Sequence, residues 1–396
     1  MRVCMIAYTF YEFDARVRRY AETLARRGDH VDVIALRRDH QPARENINGV
    51  HLFRIQRRDI DEKQKFSYLR KLLLFLLRSM VFVSAKQLRR PYDLLHIHSV
   101  PDFEVFAAVL PKLMGSKLIL DIHDLVPEFY ASKFHVPASS PFVKLLKLME
   151  RVSAAFVDHV IIANDLWKNK IVGRSVSDDK CTAILNFPDK VVFTRRGRNG
   201  TNGKFKMLYP GTLNDHQGLD LAIRAFALIK DDAPEAEFHI FGRGPSKESL
   251  ASLIAHLGLE DRVFLKDHVP LIELPPIMEN SDLGVVPKRR NAFSDEAFST
   301  KILEFMALGV PVLVADTKID SYYFDESLVK FFRAGDEKDL ANNMLLLIRK
   351  PELRQRLSTN ATEYVCKNDW ESKKQIYLDL VDRLVANAKI SLASAR

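Results

Sequence analysis

Residues 295–316 read DEAFSTKILEFMALGVPVLVAD, and they hold the repeating unit of the fold. The apolar positions of KILEFMAL recur at helical spacing, Gly309 stops that helix, and VPVLVAD is a short β-branched run of strand character. Just upstream, LGVVP (283–287) is a second such run. Strand, helix and strand in succession predict a parallel sheet. Further out, FKMLYPG, LDLAIRAFALIK, EFHIFGRG, SKESLASLIAHLG and RVFLKD continue the alternation. The first half of the chain repeats it: RVCMIAY, HVDVIAL, DLLHIHS, KLILDIH and HVIIAN alternate with amphipathic stretches such as ARVRRYAETLARRG, which closes at Gly28. Between the two series, residues 194–204 (TRRGRNGTNGK) have no apolar anchor and read as a linker. From about Trp370 the pattern is one helix. The expected organisation is an α/β domain over 1–193, a linker over 194–204, a second α/β domain over 205–369 and a C-terminal helix over 370–396. Two facing α/β domains imply a cleft, with ligands beyond the carboxyl ends of the strands.

Composition sets the outer limits. The 396 residues are 47% apolar and 28% charged, which excludes disordered, collagenous and disulfide-scaffold classes. Lys and Arg number 60 against 51 Asp and Glu, a net charge of +9. Residues 1–100 hold 20 basic and 11 acidic side chains, and 54–90 alone hold 11 and 3. So local an excess points to one anionic partner and away from a nucleic-acid coat. The three cysteines, Cys4, Cys181 and Cys366, are far apart and lack metal-ligand spacing, as expected for a reducing, cytoplasmic compartment. The N-terminal apolar run is too short to span a bilayer, and Arg78 interrupts the most apolar segment, LRKLLLFLLRSMVFVSAK.

Four motifs stand where this fold places chemistry. In YPGTLNDHQGLDLAIRAF (209–226), Gly211 and Gly218 lie between a strand and a helix, so both phosphate binding and a plain turn fit. GRGP (242–245) lacks the third glycine of a dinucleotide fingerprint, and Gly242 suits a turn or a close backbone approach. In residues 295–316, Glu296 is expected in the loop before a helix and Glu304 about two turns into it, with Lys301 between. Two carboxylates and a cation at a helix start suit a polyhydroxyl ligand bearing phosphates; a solvated charged helix is the plainer reading. In HIHSVPDFE (96–104) and DIHDLVPEFY (121–130), His98 and His123 follow strands, and Asp121, Asp124 and Glu128 surround His123. No metal-ligand spacing appears there, so no bound metal is expected.

Together these segments resemble the GT-B glycosyltransferases, most closely glycosyltransferase family 4, over nearly the whole length. GTLNDHQGLDLAIRAF is similar to the family's glycine loop and helix. EAFSTKILE resembles its two-glutamate motif and is followed by MALGVPV. DARVRRYAETLARRGDHVDVIAL, HIH and DIHD resemble members that build bacterial surface polysaccharides. The resemblance implies the GT-B fold: two Rossmann-like, doubly wound domains facing across a cleft, with the last helix crossing back to the first. It implies a retaining enzyme that moves a sugar from a nucleotide-sugar to an acceptor hydroxyl, with no metal or other cofactor. It gives catalytic parts to His123, near the donor sugar, and to Glu296, on the sugar hydroxyls. It assigns Glu304 to the ribose, and the backbone of Phe298, Ser299 and Thr300 to the sugar and diphosphate. Gly211, Thr212, Gln217, Gly218 and Gly242 complete the donor side. Asp14, Arg16, His98, Asp124 and Glu128 are the candidates on the acceptor side.

The chain departs from the family at two places. Many members carry an Arg and a Lys in the glycine loop, where this sequence has Thr212 and Gln217. Lys301 is the expected replacement, with Lys288, Arg289 and Arg290 as further diphosphate cations. A nucleotide-sugar epimerase of the same architecture, and a non-catalytic nucleotide-sugar-binding partner of another transferase, stay open as alternatives. In the basic segment, Lys71, Arg78 and Arg89 are spaced by near-whole helical turns beside a Leu/Phe side. That arrangement fits a core helix with a wet basic edge. It also fits peripheral attachment to an anionic membrane on the inner face of the cell, with a lipid-linked acceptor.

Overall fold

The computed structural model describes residues 1–58, 65–197 and 203–394; the side chains of 65–67 and 387–394 lie outside that description. The chain divides into two units, Met1–Asn186 with Lys373–Arg396, and Phe187–Ser372.

The first unit is built on eight strands: β1 (Arg2–Ala7), β2 (His30–Arg37), β3 (Arg44–Ile47), β4 (Val50–Arg57), β5 (Leu94–His98), β6 (Lys117–Ile122), β7 (His159–Ile162) and β8 (Cys181–Ala183). Their order is β3-β4-β2-β1-β5-β6-β7-β8, parallel except for β3 on β4. The connecting helices are α1 (Ala15–Arg26), α2 (Lys65–Arg89), α3 (Val109–Leu113), α4 (Val126–Lys133), α5 (Pro141–Phe156) and α6 (Asp165–Ile171), with a 3-10 segment at Asp102–Ala108. β1, β2, β5, β6 and β7 lie where the β-branched runs predict them. α1 starts because the Asp14 carboxylate caps it, accepting from Val17 N at 3.0 Å, and the chain leaves it through Gly28 at φ +96°. It buries Val17, Tyr20, Ala21 and Leu24. Cys4 is a fully buried core residue of β1.

The β3–β4 hairpin is absent from the pattern reading, because β4 turns polar side chains inward. Arg54 and Gln56 are buried, and Arg54 is held by Glu12 and Glu45. The sequence does carry a signal for it. Asn48 and Gly49 both have positive φ, 53° and 84°, which is the Asn-Gly turn of a tight hairpin.

The second unit has six parallel strands: β9 (Phe205–Pro210), β10 (Ala236–Phe241), β11 (Val263–Lys266), β12 (Leu283–Val286), β13 (Val312–Ala315) and β14 (Lys330–Phe332), ordered β11-β10-β9-β12-β13-β14. Its helices are α7 (Leu219–Ile229), α8 (Lys247–His256), α9 (Leu274–Glu279), α10 (Thr300–Ala307), α11 (Lys318–Tyr323), α12 (Glu337–Arg349), α13 (Pro351–Lys367) and the start of α14 (Trp370–Ser394). Met207, Phe226, Phe238, Leu313 and Phe332 form its core, and each such burial stabilises by about 1.5–3 kcal/mol.

Two boundaries differ from the composition reading. Residues 198–202 of the expected linker lie outside the described residues. The stretch before them is bonded to the second unit: the backbone N–H groups of Arg196 and Gly197 donate to the buried Glu279 carboxylate at 2.9 Å. Glu304 is the fifth residue of α10, one turn in and not two, because that helix begins only at Thr300. α14 does cross back. From Lys373 onward it belongs to the first unit, where Tyr377 is fully buried, its ring centroid 4.3 Å from that of Tyr20 and its hydroxyl 3.0 Å from His96 Nδ1. Arg27 and Asp382 add an ion pair at 2.8 Å.

Candidate functional site

Each sheet has a switch point, where neighbouring strands send their connections in opposite directions and leave a crevice at their carboxyl ends. In the second unit this lies between β9 and β12. The Gly211 turn follows β9, and residues 287–290 follow β12. Against them stands the start of α10, held down because Gly284 has no side chain: a Cβ there would meet the Phe305 ring at 2.6 Å.

Lys301 reaches into this crevice. A Cβ on Gly211 would stand 3.2 Å from the Lys301 ammonium nitrogen, which lies 5.2 Å from the centroid of the Tyr209 ring. Burial pulls the Lys301 pKa down to about 8, against the opposing pull of Glu304 and with a smaller push from Lys288. His216 sits near enough to feel it: burial, then the Lys301 charge, lower its pKa. Ser299, the residue before α10, is buried, and its hydroxyl has no hydrogen-bond partner among the described residues. Such a hydroxyl at a helix start suits an anion. Glu296 lies in the preceding loop, 3.5 Å from the Lys318 ammonium, and the Phe298 ring packs edge-on to Tyr323. Thr300 and Glu304 are half-buried on α10.

Several candidates have other partners. Lys288 is 3% exposed, paired with Asp320 at 2.8 Å and donating to Ala297 O, so it cannot swing to a ligand. Arg289 pairs with Asp220, and Arg290 with Asp316 at 3.3 Å and Asp295 at 3.6 Å. The glycines serve loop packing. The N–H groups of Gly211, Gln217 and Gly218 donate to Phe241, Asn214 and Asp215 carbonyls and do not face an anion. A Cβ on Gly218 would lie 2.0 Å from Pro287 O, and one on Gly242 only 1.9 Å from Gly211 O. Gly242 therefore lets two loops touch, which fits the turn reading of GRGP. Thr212 is exposed, and its carbonyl accepts from Tyr209 OH at 3.0 Å. Spacing gave no sign of Tyr209, Asp320 or Lys318, because their partners come from separate strand ends.

In the first unit the switch point lies between β1 and β5. Beside it Asp121 is fully buried and is gripped by the Arg16 guanidinium at 2.8 and 2.7 Å. His98 Nδ1 and His123 Nε2 each lie 3.2 Å from the same carboxylate and from one another. Burial pushes the Asp121 carboxyl up, but Arg16 and the two histidines hold it well below the usual carboxylate range. Burial lowers His98, and lowers His96 further; His123, half-buried at 20% exposure, is raised by Asp121. Burial lifts Asp124 to about 6.

His123 is thus poised by an anion fixed beneath it, and Arg16 is a buried positioning residue, not a surface contact for an acceptor. Asp14 is the cap of α1. Glu128 is also reassigned: Arg174 binds it at 2.6 Å and carries Glu150 on its other side. Ligand atoms of His96, His98 and Asp121 lie within 4.8 Å of one another. The guanidinium already occupying both Asp121 oxygens makes this a poor seat for a divalent ion.

Comparison with known proteins is consistent with this geometry. The "Glycosyl transferase 4-like domain" model matches residues 14–186, and the "Glycosyl transferases group 1" model matches 193–364. The amylovoran biosynthesis glycosyltransferase AmsK of Erwinia amylovora is 26% identical over 152 residues, 38% of this chain and 37% of that protein. The chain spans about two fifths of the length of the curated relatives it matches first. Among solved structures, sucrose-phosphate synthase from Thermosynechococcus elongatus superposes with a TM-score of 0.78 at 18% identity, over 98% of this chain and 99% of that one. Anabaena HepE in complex with UDP-glucose gives 0.68 at 16% identity over the full length of both. With the two models covering the two units in order, and the full-length superposition behind them, the chain belongs to the GT-B glycosyltransferases.

Proposed function

We propose that this protein is a retaining glycosyltransferase of family 4 that moves a sugar from a nucleotide-diphosphate sugar to a hydroxyl of a lipid-linked glycan, in the assembly of a cell-surface polysaccharide. The observation that carries this reading is the Lys301 ammonium held at the Gly211 turn, with the buried Ser299 hydroxyl, unpartnered among the described residues, just before α10. A leaving diphosphate needs preorganised positive charge in a water-poor crevice. Lys301, the N-terminus of α10 and the backbone of Phe298–Thr300 supply it. Glu296 takes the sugar hydroxyls and Glu304 the ribose. As the diphosphate departs, positive charge grows on the anomeric carbon and the acceptor attacks from the same face. In the first unit, Asp121 favours the charged form of His123. The reaction draws on no metal. The binding of UDP-glucose by the structural neighbour HepE, and the polysaccharide role in the name of AmsK, support the donor and product classes.

The acceptor's lipid brings the protein to the inner surface of the cell membrane, where α2 rests its cationic side, Lys71, Arg78 and Arg89. Screening nucleotide-sugars for thermal stabilisation, then assaying transfer to a lipid-diphosphate acceptor, tests the reading. Glu296→Ala should lower transfer at least about 100-fold and leave the affinity for the nucleoside diphosphate within about threefold. Equal losses in both would remove Glu296 from the sugar. Conversion of donor to an epimer without acceptor would overturn the transferase reading.

A further inference from the structure

α2 is apolar on two sides. One stripe, Leu72, Phe75, Ser79, Val83 and Gln87, is buried against the first unit. A second, Leu69, Leu73, Leu77, Val81 and Leu88, lies outside, with Val81 70% and Leu88 69% exposed. The buried stripe accounts for packing, and the outer one stays largely exposed among the described residues. α5 repeats the design: Val143, Ser153 and Ala154 face inward, while Phe142, Leu145, Leu148 and Val152 are exposed at helical spacing. Leu113 of α3, 80% exposed, is a third such residue.

These helices share one side of the sheet. The crossovers β4→β5, β5→β6 and β6→β7 all step in the same direction along the strand order, and right-handed connections then put every crossing helix on one face. The 3-10 segment Asp102–Ala108 packs against both α2 and α5 and joins them. The opposite face is already covered by α1 and α14.

The charge on this layer is of one sign. Residues 65–92 and 109–117 contain no Asp or Glu. α5 has one, Glu150, and it is buried on Arg174 and Ser175. Cations flank both stripes: Lys71, Arg78 and Arg89 on α2, and Lys144, Lys147 and Arg151 on α5. Beside α2 they line two grooves of about 760 and 770 Å³ against β4, the first holding Arg37, Arg57, Arg70 and Lys71, and the second Arg44, Lys86 and Arg89. Among the described residues, no helix is long and apolar enough to cross a membrane. Apolar stripes edged by cations, with acids withheld, match an anionic bilayer surface.

We infer that α2 and α5 of this layer form a two-helix footing for an anionic phospholipid bilayer, with α5 contributing as a second, independent contact. This rests on the peripheral attachment of α2 proposed above and extends it to a helix that the basic segment does not contain. The stripes enter the headgroup–acyl boundary, and the basic grooves receive lipid phosphates.

Sedimentation of the full-length protein with phosphatidylcholine vesicles, with and without 30% phosphatidylglycerol, tests it. Wild type should partition at least about tenfold better onto the anionic vesicles, since each basic residue at the surface contributes about fivefold. Leu145→Glu/Leu148→Glu should cost at least about tenfold, as should Leu73→Glu/Leu77→Glu. All four positions are exposed, so unchanged circular dichroism and melting are expected of both variants. Wild-type partitioning by the α5 variant would overturn the two-helix footing and leave α2 alone. Equal binding to both vesicle types, or to neither, would overturn the membrane proposal. A dimer in sedimentation equilibrium that the α5 variant dissolves would instead make this face an interface between copies. Stabilisation by UDP-sugars is read separately, so failure of the donor reading cannot be mistaken for failure of this one.

Discussion

Lys301 is pulled two ways. Burial favours its neutral form, with a pKa near 8, while a diphosphate arriving there, as proposed, would favour the ammonium. The groups facing it are Glu304 and Asp320, which hold the proton on, Lys288, which drives it off, and His216, whose pKa burial and the Lys301 charge lower. On the proposed reading, a diphosphate therefore binds more tightly to the protonated form. Below pH 7 nearly all molecules have it, and at pH 9 about one in ten does. Nucleoside-diphosphate affinity measured by titration calorimetry should be flat below pH 7 and about tenfold weaker at pH 9. Lys301→Arg should remove that slope, because a guanidinium keeps its proton throughout. Lys301→Ala should weaken binding about 10–100-fold at pH 7, also without a slope. An unaltered pH profile in Lys301→Ala would place the diphosphate elsewhere.

At the scale of elements, loop glycines with the same backbone sign do different work. Gly28 and Gly218 both have positive φ, +96° and +67°. A Cβ on Gly28 meets nothing within 4 Å, whereas one on Gly218 would meet Pro287 O at 2.0 Å. Gly28→Ala should cost about 1 kcal/mol, the conformational penalty alone. Gly218→Ala should cost about 3 kcal/mol or more and weaken nucleotide binding, because the loops after β9 and β12 must part. Urea unfolding with parallel calorimetry checks both, and equal costs would contradict the packing role.

The contrast shows what was readable in advance. Strand–helix alternation and helix stops follow from local chemistry, so most strands and the α10 region are legible in the sequence. Partners contributed by another strand end are not. Lys288, Arg289 and Arg290 look alike on paper, yet Asp320 buries the first while Asp220 and Asp316 hold the others. Glu128 likewise stands beside His123 in sequence but turns to Arg174, which arrives after β7. The β3–β4 hairpin was legible only through Asn48-Gly49, since its inward side chains break the apolar alternation.

Over the whole molecule, each unit has its own sheet and its own core, and α14 belongs to both. Its first residues belong to the second unit and the remainder to the first, where Tyr377 fills a site against Tyr20 and His96. A fully buried aromatic is worth about 3–5 kcal/mol on truncation, and here the loss also strips His96 of its hydroxyl partner. Tyr377→Ala should therefore destabilise the first unit while leaving nucleoside-diphosphate affinity in the second within about twofold. Phe238→Ala, in the core of the second sheet, should do the reverse: it should lower both nucleotide affinity and the thermal transition that the nucleotide shifts. Melting curves of both variants with and without UDP separate the outcomes. If the two substitutions lowered one shared transition equally and weakened UDP alike, the units would unfold as a single cooperative body, and the first unit's loss would have to be counted against the second.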